Sequence, residues 1–273
     1  MSLSWWNGRT VDAEEVRIPA DDSGFLFGDG LFETLRVDAG RPLDVPAHLD
    51  RLFAGLERIG LRLPEDRETL EQAVLEIGAA SPRPVARLRI TVSRENRLIT
   101  ASPYDPPGED QYRKGVFVVL LPEFRIDSHS PLAGLKSLSY QVNRLATRKA
   151  ARYGAWETVL LNERSRVAEG SRSNVAVILP DGIYTPPASE GCLPGTVRRR
   201  LLEARAIKER RIPVKYLTDA SGLLLMNSLI GVLPVSRLGG RDMPAGPEAA
   251  AQLREILLTA APPGSGARRP RRA

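Results

Sequence analysis

The sequence has almost no cysteine or histidine and no long apolar run. Cys192 is the single cysteine among 273 residues. No disulfide can therefore form within the chain, and we expect it in the reducing cytoplasm. His48 and His129 are the only histidines and lie too far apart for a recognisable zinc motif, so we expect no metal site. No apolar stretch reaches the roughly 18 residues of a membrane span, and the N-terminus lacks the pattern of a secretory signal.

Positive charge is in excess, but it is concentrated at one end. The net charge is +6, and four arginines lie between Ala267 and Arg272. Without them the balance is 35 basic to 33 acidic residues. We therefore predict a disordered basic tail over residues 263–273. This tail alone favours a nucleic-acid partner, and no interleaved aromatic residues or recognised binding motif support one.

The N-terminal half predicts mixed strands and helices. Asn7-Gly8 between strand-like residues indicates a two-residue hairpin. Apolar residues interrupted by glycines predict strand, bend and strand from Gly24 to Val37. Periodic apolar residues predict a helix opening at Pro46 and a second helix over Leu70–Ile77. Further strands are predicted over Leu88–Val92 and Val116–Leu121.

The C-terminal half alternates between the two element types, which predicts an α/β and α+β architecture in two domains. We place these domains at residues 1–125 and 126–262, with the boundary in a loop-like stretch. Predicted helices cover Tyr140–Tyr153, Thr196–Arg211 and Pro247–Thr259, and predicted strands cover Glu157–Leu161, Asn174–Leu179, Leu223–Asn227 and Gly231–Arg237.

Three features of this half are suited to chemistry. Lys136 precedes a helix, and burial would let it lose its proton and act as a nucleophile or base. Glu169 stands at the mouth of an apolar strand, and Gly195-Thr196 opens a helix whose free N–H groups suit a phosphate. Taken singly, each has an ordinary alternative: a surface lysine, a turn acid and a common helix start.

Six motifs stand in a fixed order along the chain. They are Gly28-Asp29-Gly30-Leu31-Phe32-Glu33-Thr34, His48-Leu49-Asp50-Arg51-Leu52, Lys136-Ser137-Leu138-Ser139-Tyr140, Glu169-Gly170-Ser171-Arg172-Ser173-Asn174, Tyr184-Thr185-Pro186-Pro187 and Leu193-Pro194-Gly195-Thr196. Together they resemble the class IV aminotransferases, the fold type IV family of pyridoxal 5′-phosphate (PLP) enzymes, whose fold is that of D-amino acid aminotransferase. The likeness covers residues from about Asp22 to Val235.

The resemblance implies PLP as cofactor and a role for each matching residue. Lys136 would hold PLP covalently and then move protons, and Glu169 would keep the pyridine nitrogen protonated. Arg51 would bind the phosphate, together with Ser228 and the backbone N–H groups of Thr196 and Val197. Tyr140 would reach the phenolic oxygen of the ring. Many relatives have Ile-Thr in place of Thr196-Val197, so no side-chain contact is expected at the second position.

Within the family, the sequence is most similar to the 4-amino-4-deoxychorismate lyases, which eliminate pyruvate to give 4-aminobenzoate for folate synthesis. Thr34 occupies a position where these lyases have threonine and branched-chain enzymes have glycine. The last motif, Asn227 to Val235, also resembles the lyase version. The alternative is an aminotransferase for D-amino or branched-chain amino acids. Both activities imply a homodimer. We expect Asn227, Arg94 and Arg97 to bind substrate. The two arginines would act in the partner's site.

Overall fold

The computed structural model describes residues 3–81 and 83–259 of the chain. The predicted tail, 263–273, lies outside these ranges. The strands are β1 Leu3–Trp6, β2 Arg9–Asp12, β3 Gly30–Asp38, β4 Arg41–Pro42, β5 Val85–Ser93, β6 Arg97–Pro103, β7 Val116–Ile126, β8 Glu157–Asn162, β9 Val167–Gly170, β10 Asn174–Leu179, β11 Gly182–Thr185, β12 Lys208–Glu209, β13 Gly222–Asn227, β14 Gly231–Leu238 and β15 Arg241–Asp242. The helices are α1 Ser23–Phe27, α2 Val45–Arg58, α3 Arg67–Ala79, α4 Glu109–Lys114, α5 Gln141–Arg152, α6 Thr196–Glu203 and α7 Gly246–Thr259.

The first sheet is antiparallel, in the order β2-β1-β6-β5-β3-β4. The predicted hairpin is confirmed between β1 and β2, where Asn7 and Gly8 both have positive φ (48° and 92°). This geometry matches the right-handed twist of the flanking strands. The predicted helices α2 and α3 are also confirmed, and their apolar sides form one core with the sheet.

Strand β3 separates this core from the rest of the molecule. Leu31, Leu35 and Val37 are buried in the core. Because successive side chains of a strand point to opposite faces, Phe32 and Thr34 lie on the other face. The second face is turned toward the C-terminal half, since Ser228 Oγ donates to the Thr34 carbonyl at 2.7 Å.

The second sheet has nine strands, with the path β12-β11-β10-β13-β14-β7-β8-β9 and β15 paired to β14. Strand β7 runs parallel to both β8 and β14, and α5 forms the crossover that a parallel β7–β8 pair requires. The chain therefore passes to the second sheet before residue 116, earlier than the division expected at 125–126. We propose that the two structural units divide between Pro103 and Glu109.

Two predicted elements are wrong. Residues Ser23–Phe27 form the short helix α1, not a strand, because the buried Asp22 carboxylate caps its first turn by accepting the Phe25 N–H. Helix α6 ends at Glu203, well before Arg211, since Arg205 takes a left-handed conformation (φ 56°) that turns the chain into β12.

None of the helices within the two described ranges combines the length and apolar composition of a bilayer-crossing segment.

Candidate active site

Seven of the eleven residues selected from the sequence line one cavity of about 270 Å³. They are Arg51, Lys136, Tyr140, Glu169, Thr196, Asn227 and Ser228. Arg51 comes from α2, which packs on the N-terminal sheet, and the other six residues belong to the C-terminal half. The cavity is therefore assembled from both structural units.

Lys136 is positioned by backbone pairing with β3. Its carbonyl accepts the Phe32 N–H at 2.8 Å, and the following Leu138 N–H donates to the Gly30 carbonyl at 2.9 Å. The Nζ lies 4.6 Å from the centre of the Phe32 ring. Burial, together with the nearby Arg51 guanidinium, lowers the pKa of Lys136 to about 8. A useful fraction of neutral amine is therefore present near neutral pH, as a nucleophile or base requires.

Glu169 enters the cavity from the end of β9. One carboxylate oxygen accepts the Leu193 N–H at 2.8 Å, which fixes its orientation. Burial raises the pKa of Glu169 to about 7, although the Leu193 N–H and the Lys136 ammonium both oppose this rise. Such a carboxyl exchanges a proton readily with a cationic partner, which suits the predicted pairing with a protonated pyridine nitrogen.

Arg51 is held by Glu33, a buried acid of the Gly28–Thr34 motif for which the sequence predicted no role. Glu33 accepts from Arg51 Nε at 2.7 Å and from Nη2 at 2.6 Å, and it lies 2.7 Å from His48 Nδ1. Burial alone would raise the pKa of Glu33, but the Arg51 guanidinium holds it well below its usual range. Glu33 stands on the core face of β3, where a charged side chain must be paired, and this pattern is visible in the sequence.

The predicted phosphate end of the cavity lies at the start of α6. The N–H groups of Thr196 and Val197 are in the first helical turn, where no intrahelical acceptor exists. A Cβ at the preceding Gly195 would lie 2.0 Å from Asn174 Oδ1, so only glycine fits there. The Val197 side chain packs into the core, which leaves its backbone as the available group.

Tyr140 and Asn227 are held by the turn between β9 and β10. The Tyr140 hydroxyl donates to the Ser171 carbonyl at 2.9 Å, and Asn227 Nδ2 donates to the Arg172 carbonyl at 3.1 Å. Burial and the Glu169 carboxylate raise the pKa of Tyr140, so the hydroxyl stays protonated.

Sequence reasoning missed Arg89. It lies directly across from Thr34 in the β3–β5 pairing, and its guanidinium carbon is 3.9 Å from the Phe32 ring centre. Its Nε donates to Thr91 Oγ1 at 3.0 Å, and burial and the nearby Arg87 lower the pKa of Arg89. Arg89 stands in the alternating strand recognised from the sequence, but only the register shows that it meets Phe32.

Arg94 and Arg97 do not line this cavity. Arg94 is exposed, and Arg97 forms an ion pair with Glu65, with Nη2 and Oε1 2.8 Å apart. Their assignment to substrate in a partner's site stays a prediction. Cys192 is buried, and burial raises its pKa to about 12, so its thiol is protonated and unreactive at neutral pH.

Comparison with known proteins identifies the family. The model of amino-transferase class IV matches residues 30–238. This chain belongs to the class IV aminotransferases. The predicted family and its mixed α/β, fold type IV architecture are thereby confirmed, and PLP, on which the family depends, is its cofactor.

The names of similar proteins describe two kinds of activity, lyase and aminotransferase. The chain is 33% identical over 271 residues to a bifunctional aminodeoxychorismate lyase / D-amino acid transaminase of Mycobacterium tuberculosis, covering 87% of this chain and 93% of the relative. It is 28% identical over 267 residues to a D-alanine aminotransferase of Staphylococcus epidermidis, covering 90% and 92%. A solved 4-amino-4-deoxychorismate lyase of Pseudomonas aeruginosa superposes with a TM-score of 0.81 at 29% identity, covering 93% and 98%.

The residues of the cavity fit PLP. A lysine of lowered pKa, a carboxyl group and the open first turn of a helix surround one space. Lys136 would hold the aldehyde carbon, Glu169 the pyridine nitrogen, and Arg51 with the start of α6 the phosphate. When bound, PLP supplies an electron sink for charge that develops on a substrate amine's carbon.

Proposed function

We propose that this protein is a 4-amino-4-deoxychorismate lyase, which eliminates pyruvate and releases 4-aminobenzoate. One observation carries the proposal: Thr34 and Arg89 are cross-strand neighbours on the sheet face that bears Phe32 against Lys136. The Arg89 guanidinium and the Lys136 amine therefore contact the same Phe32 ring, and Thr34 is the register partner of Arg89.

The substrate has two carboxylates, which favours an arginine at this place. Within the described residues, the hydrogen bond that Arg89 donates goes to the neutral Thr91 and not to an acid. A partly buried guanidinium in that position is available for charge-assisted hydrogen bonds to a substrate carboxylate. Arg89, on this chain, is therefore our candidate for binding one carboxylate, and Thr34 for positioning the substrate.

Lys136 performs the proton transfer in this reaction. Its neutral amine takes the proton from the ring carbon that bears the amino group. The ether bond to the ring then breaks, and its electron pair leaves with the oxygen as the enolate of pyruvate, whose methylene carbon takes up a proton to give pyruvate. The ring becomes aromatic, which drives the step. The product serves folate synthesis in the cytoplasm, where the Cys192 thiol stays reduced.

The second candidate is an aminotransferase acting on D-amino or branched-chain amino acids. It is favoured by the D-alanine aminotransferase of S. epidermidis and by the transaminase half of the bifunctional relative's name. Lys136 and Glu169 serve both reactions in the same way, so we assign the difference between them to Thr34 and Arg89, which lie outside the cavity lining on the β3–β5 face.

We further propose that the protein is a homodimer. Phe25 and Phe27 on α1 are 74% and 77% exposed, and Val142 on α5, which lines the cavity, is 50% exposed. Helix α1 is anchored to the first sheet because its capping residue, Asp22, is buried and accepts a hydrogen bond from Asn96 Nδ2 at 2.7 Å. Fixed, exposed aromatic residues are typical of an association surface.

The deciding experiment measures products from 4-amino-4-deoxychorismate with the holoenzyme. We expect pyruvate and 4-aminobenzoate in equal amounts, and neither with Lys136→Ala. The same preparations are incubated with D-alanine and 2-oxoglutarate, and glutamate is measured. Glutamate formation without 4-aminobenzoate would refute the lyase and establish the aminotransferase.

A further inference from the structure

Another buried carboxylate, Glu157, lies close to the cavity but does not line it. It stands on β8, next to β9, and its side chain has no exposed surface. Its Oε1 accepts the Arg172 N–H at 2.6 Å and lies 3.5 Å from Ser171 Oγ. Its Oε2 has no hydrogen-bond partner among the described residues and faces Arg172 Nε at 3.7 Å. Burying an incompletely paired carboxylate is costly, so a polar residue here needs a functional explanation.

The Glu157 carboxylate supports the turn between β9 and β10. This turn is closed by a hydrogen bond of 2.7 Å from the Gly170 N–H to the Ser173 carbonyl. A Cβ on Gly170 would lie 2.4 Å from Glu157 Oε1, so the acid packs directly against the turn backbone. Glu157 therefore packs against the turn at two points, at Gly170 and at the Arg172 N–H.

The opposite side of the same turn holds three side chains of the cavity. The Ser171 carbonyl accepts from the Tyr140 hydroxyl at 2.9 Å and from Asn143 Nδ2 at 3.1 Å. The Arg172 carbonyl accepts from Asn227 Nδ2 at 3.1 Å. The direction of these carbonyls thus decides where the three side chains point.

We propose that Glu157 is a positioning residue of the PLP site, which fixes the 170–173 turn so that its carbonyls orient Tyr140, Asn143 and Asn227 toward cofactor and substrate. The inference needs only PLP binding, which the family establishes, and it holds for a lyase and for an aminotransferase alike. Glu157 does not reach the cavity and acts through the turn.

The charges around Glu157 agree with this role. Burial raises the pKa of Glu157 while Arg172 opposes the rise, and the ionised carboxylate contributes to the raised pKa values of both Glu169 and Tyr140. Arg172 partly balances Glu157, and the Arg172 guanidinium is itself fixed 4.1 Å from the Trp156 ring centre. Removing the carboxylate would therefore change proton affinities inside the cavity as well as its geometry.

The test is Glu157→Gln, which keeps the shape and removes the charge. We expect the Kd for PLP to rise by about tenfold, since one charge-assisted hydrogen bond organises the turn. We also expect the pH midpoint of the bound cofactor's absorbance to fall by about 0.5 unit, because loss of a nearby negative charge lowers proton affinity.

Glu190→Gln is the matched control. Glu190 is equally buried (1% exposed) and pairs with Arg166 at 3.0 Å and Arg211 at 3.1 Å, away from the turn. It should lower stability and leave both the PLP Kd and the absorbance midpoint unchanged. If Glu157→Gln behaves in the same way as this control, Glu157 is only structural and the proposal is overturned.

A double variant tests the route through Tyr140. In a Tyr140→Phe background, Glu157→Gln should weaken PLP binding by clearly less than tenfold, because the hydroxyl that the turn orients is gone. Fully additive losses would contradict the proposal. If circular dichroism shows that Glu157→Gln does not fold, Gly170→Ala replaces it, because the added Cβ would displace the Glu157 carboxylate from the turn. An unchanged PLP Kd and midpoint in folded Gly170→Ala would also refute it.

Discussion

Glu33 holds Arg51 through both carboxylate oxygens, at 2.7 and 2.6 Å, and thereby presents the arginine to the cavity from beneath the N-terminal sheet. The acid is almost fully buried, whereas the arginine keeps an exposed edge. The remaining nitrogen, Arg51 Nη1, donates to the Pro194 carbonyl at 3.1 Å, which places the guanidinium beside the residues that precede α6.

Glu33→Gln should weaken PLP binding and destabilise the apoprotein. Arg51 loses its ionic partner, and removal of one member of a buried pair costs about 3–5 kcal/mol. We expect the Kd for PLP to rise by about tenfold, measured by absorbance titration, alongside urea unfolding of the apoprotein. Glu65→Gln, which breaks the pair with Arg97, should destabilise without changing PLP affinity. Equal PLP affinity in both variants would show that Arg51 does not bind the phosphate.

The rate of PLP attachment should follow the titration of Lys136. Its pKa is lowered to about 8 from an ordinary value of 10.5, so the neutral, nucleophilic form accumulates as pH rises through 8 and is complete above it. The rate measured by stopped-flow absorbance should climb about tenfold per pH unit below 8 and then level off. Levelling only near 10.5 would mean that the lysine is not desolvated in the apoprotein.

Arg89→Met should raise KM for 4-amino-4-deoxychorismate by about 10- to 100-fold, since a charge-assisted hydrogen bond contributes roughly 1.5–3 kcal/mol. PLP affinity should be preserved because the hydrogen bond of Arg89 goes to Thr91 and not to a group proposed to hold PLP. Arg87→Met is the control: it is on the same face of β5 but exposed. Steady-state kinetics check this, and equal KM values for the two variants would remove Arg89 from the site.

Thr34→Gly should damage elimination more than cofactor binding. The hydroxyl stands beside Arg89, whereas the hydrogen bond to Ser228 uses the Thr34 backbone carbonyl and survives the substitution. We expect kcat for 4-aminobenzoate release to fall by about 10- to 100-fold, with the PLP Kd within about twofold. A parallel loss of both quantities would assign Thr34 to the fold alone.

Phe25→Ser with Phe27→Ser should separate the homodimer. Each exposed ring contributes apolar area to the proposed interface, with about 1.5–3 kcal/mol lost per buried aromatic side chain. Light scattering after size-exclusion chromatography should give the mass of one chain for the double variant and of two for the wild type. Leu258→Ser, which removes another exposed side chain (87%), should stay dimeric. A wild-type mass of one chain would refute the dimer directly.

The sequence predicted those parts of the fold that depend on local patterns. The Asn7-Gly8 hairpin and the helix α2 follow from residues within one or two turns of each other, and the motifs located Lys136 and Glu169. Arg89 could not be placed beside Phe32, because their proximity depends on the register of two strands that are more than 50 residues apart in the chain. The same holds for Glu157, whose role depends on the packing of β8 against the turn after β9.

The errors also have a physical origin. Phe25, Leu26 and Phe27 resemble a buried strand in composition, but a single capping carboxylate and a left-handed Gly28 (φ 71°) make a short exposed helix instead. In the region after Glu203, helical propensity continues, and the parallel pairing of β12 with β11 overrides it. A local cap decides the first case and tertiary pairing decides the second, and the apolar pattern of the sequence shows neither.

The backbone of Lys136 is hydrogen-bonded to β3, whereas Glu169 lies on β9 of the second sheet and Thr196 begins α6. A cofactor that contacts Lys136, Glu169 and Thr196 together therefore links the two halves of the molecule. Ligand that binds only the assembled state stabilises it, by about 2.7 kcal/mol at a hundredfold excess over Kd. Cells short of PLP would then contain a chain whose halves separate more readily, so vitamin supply would govern the lifetime of this protein as well as its turnover.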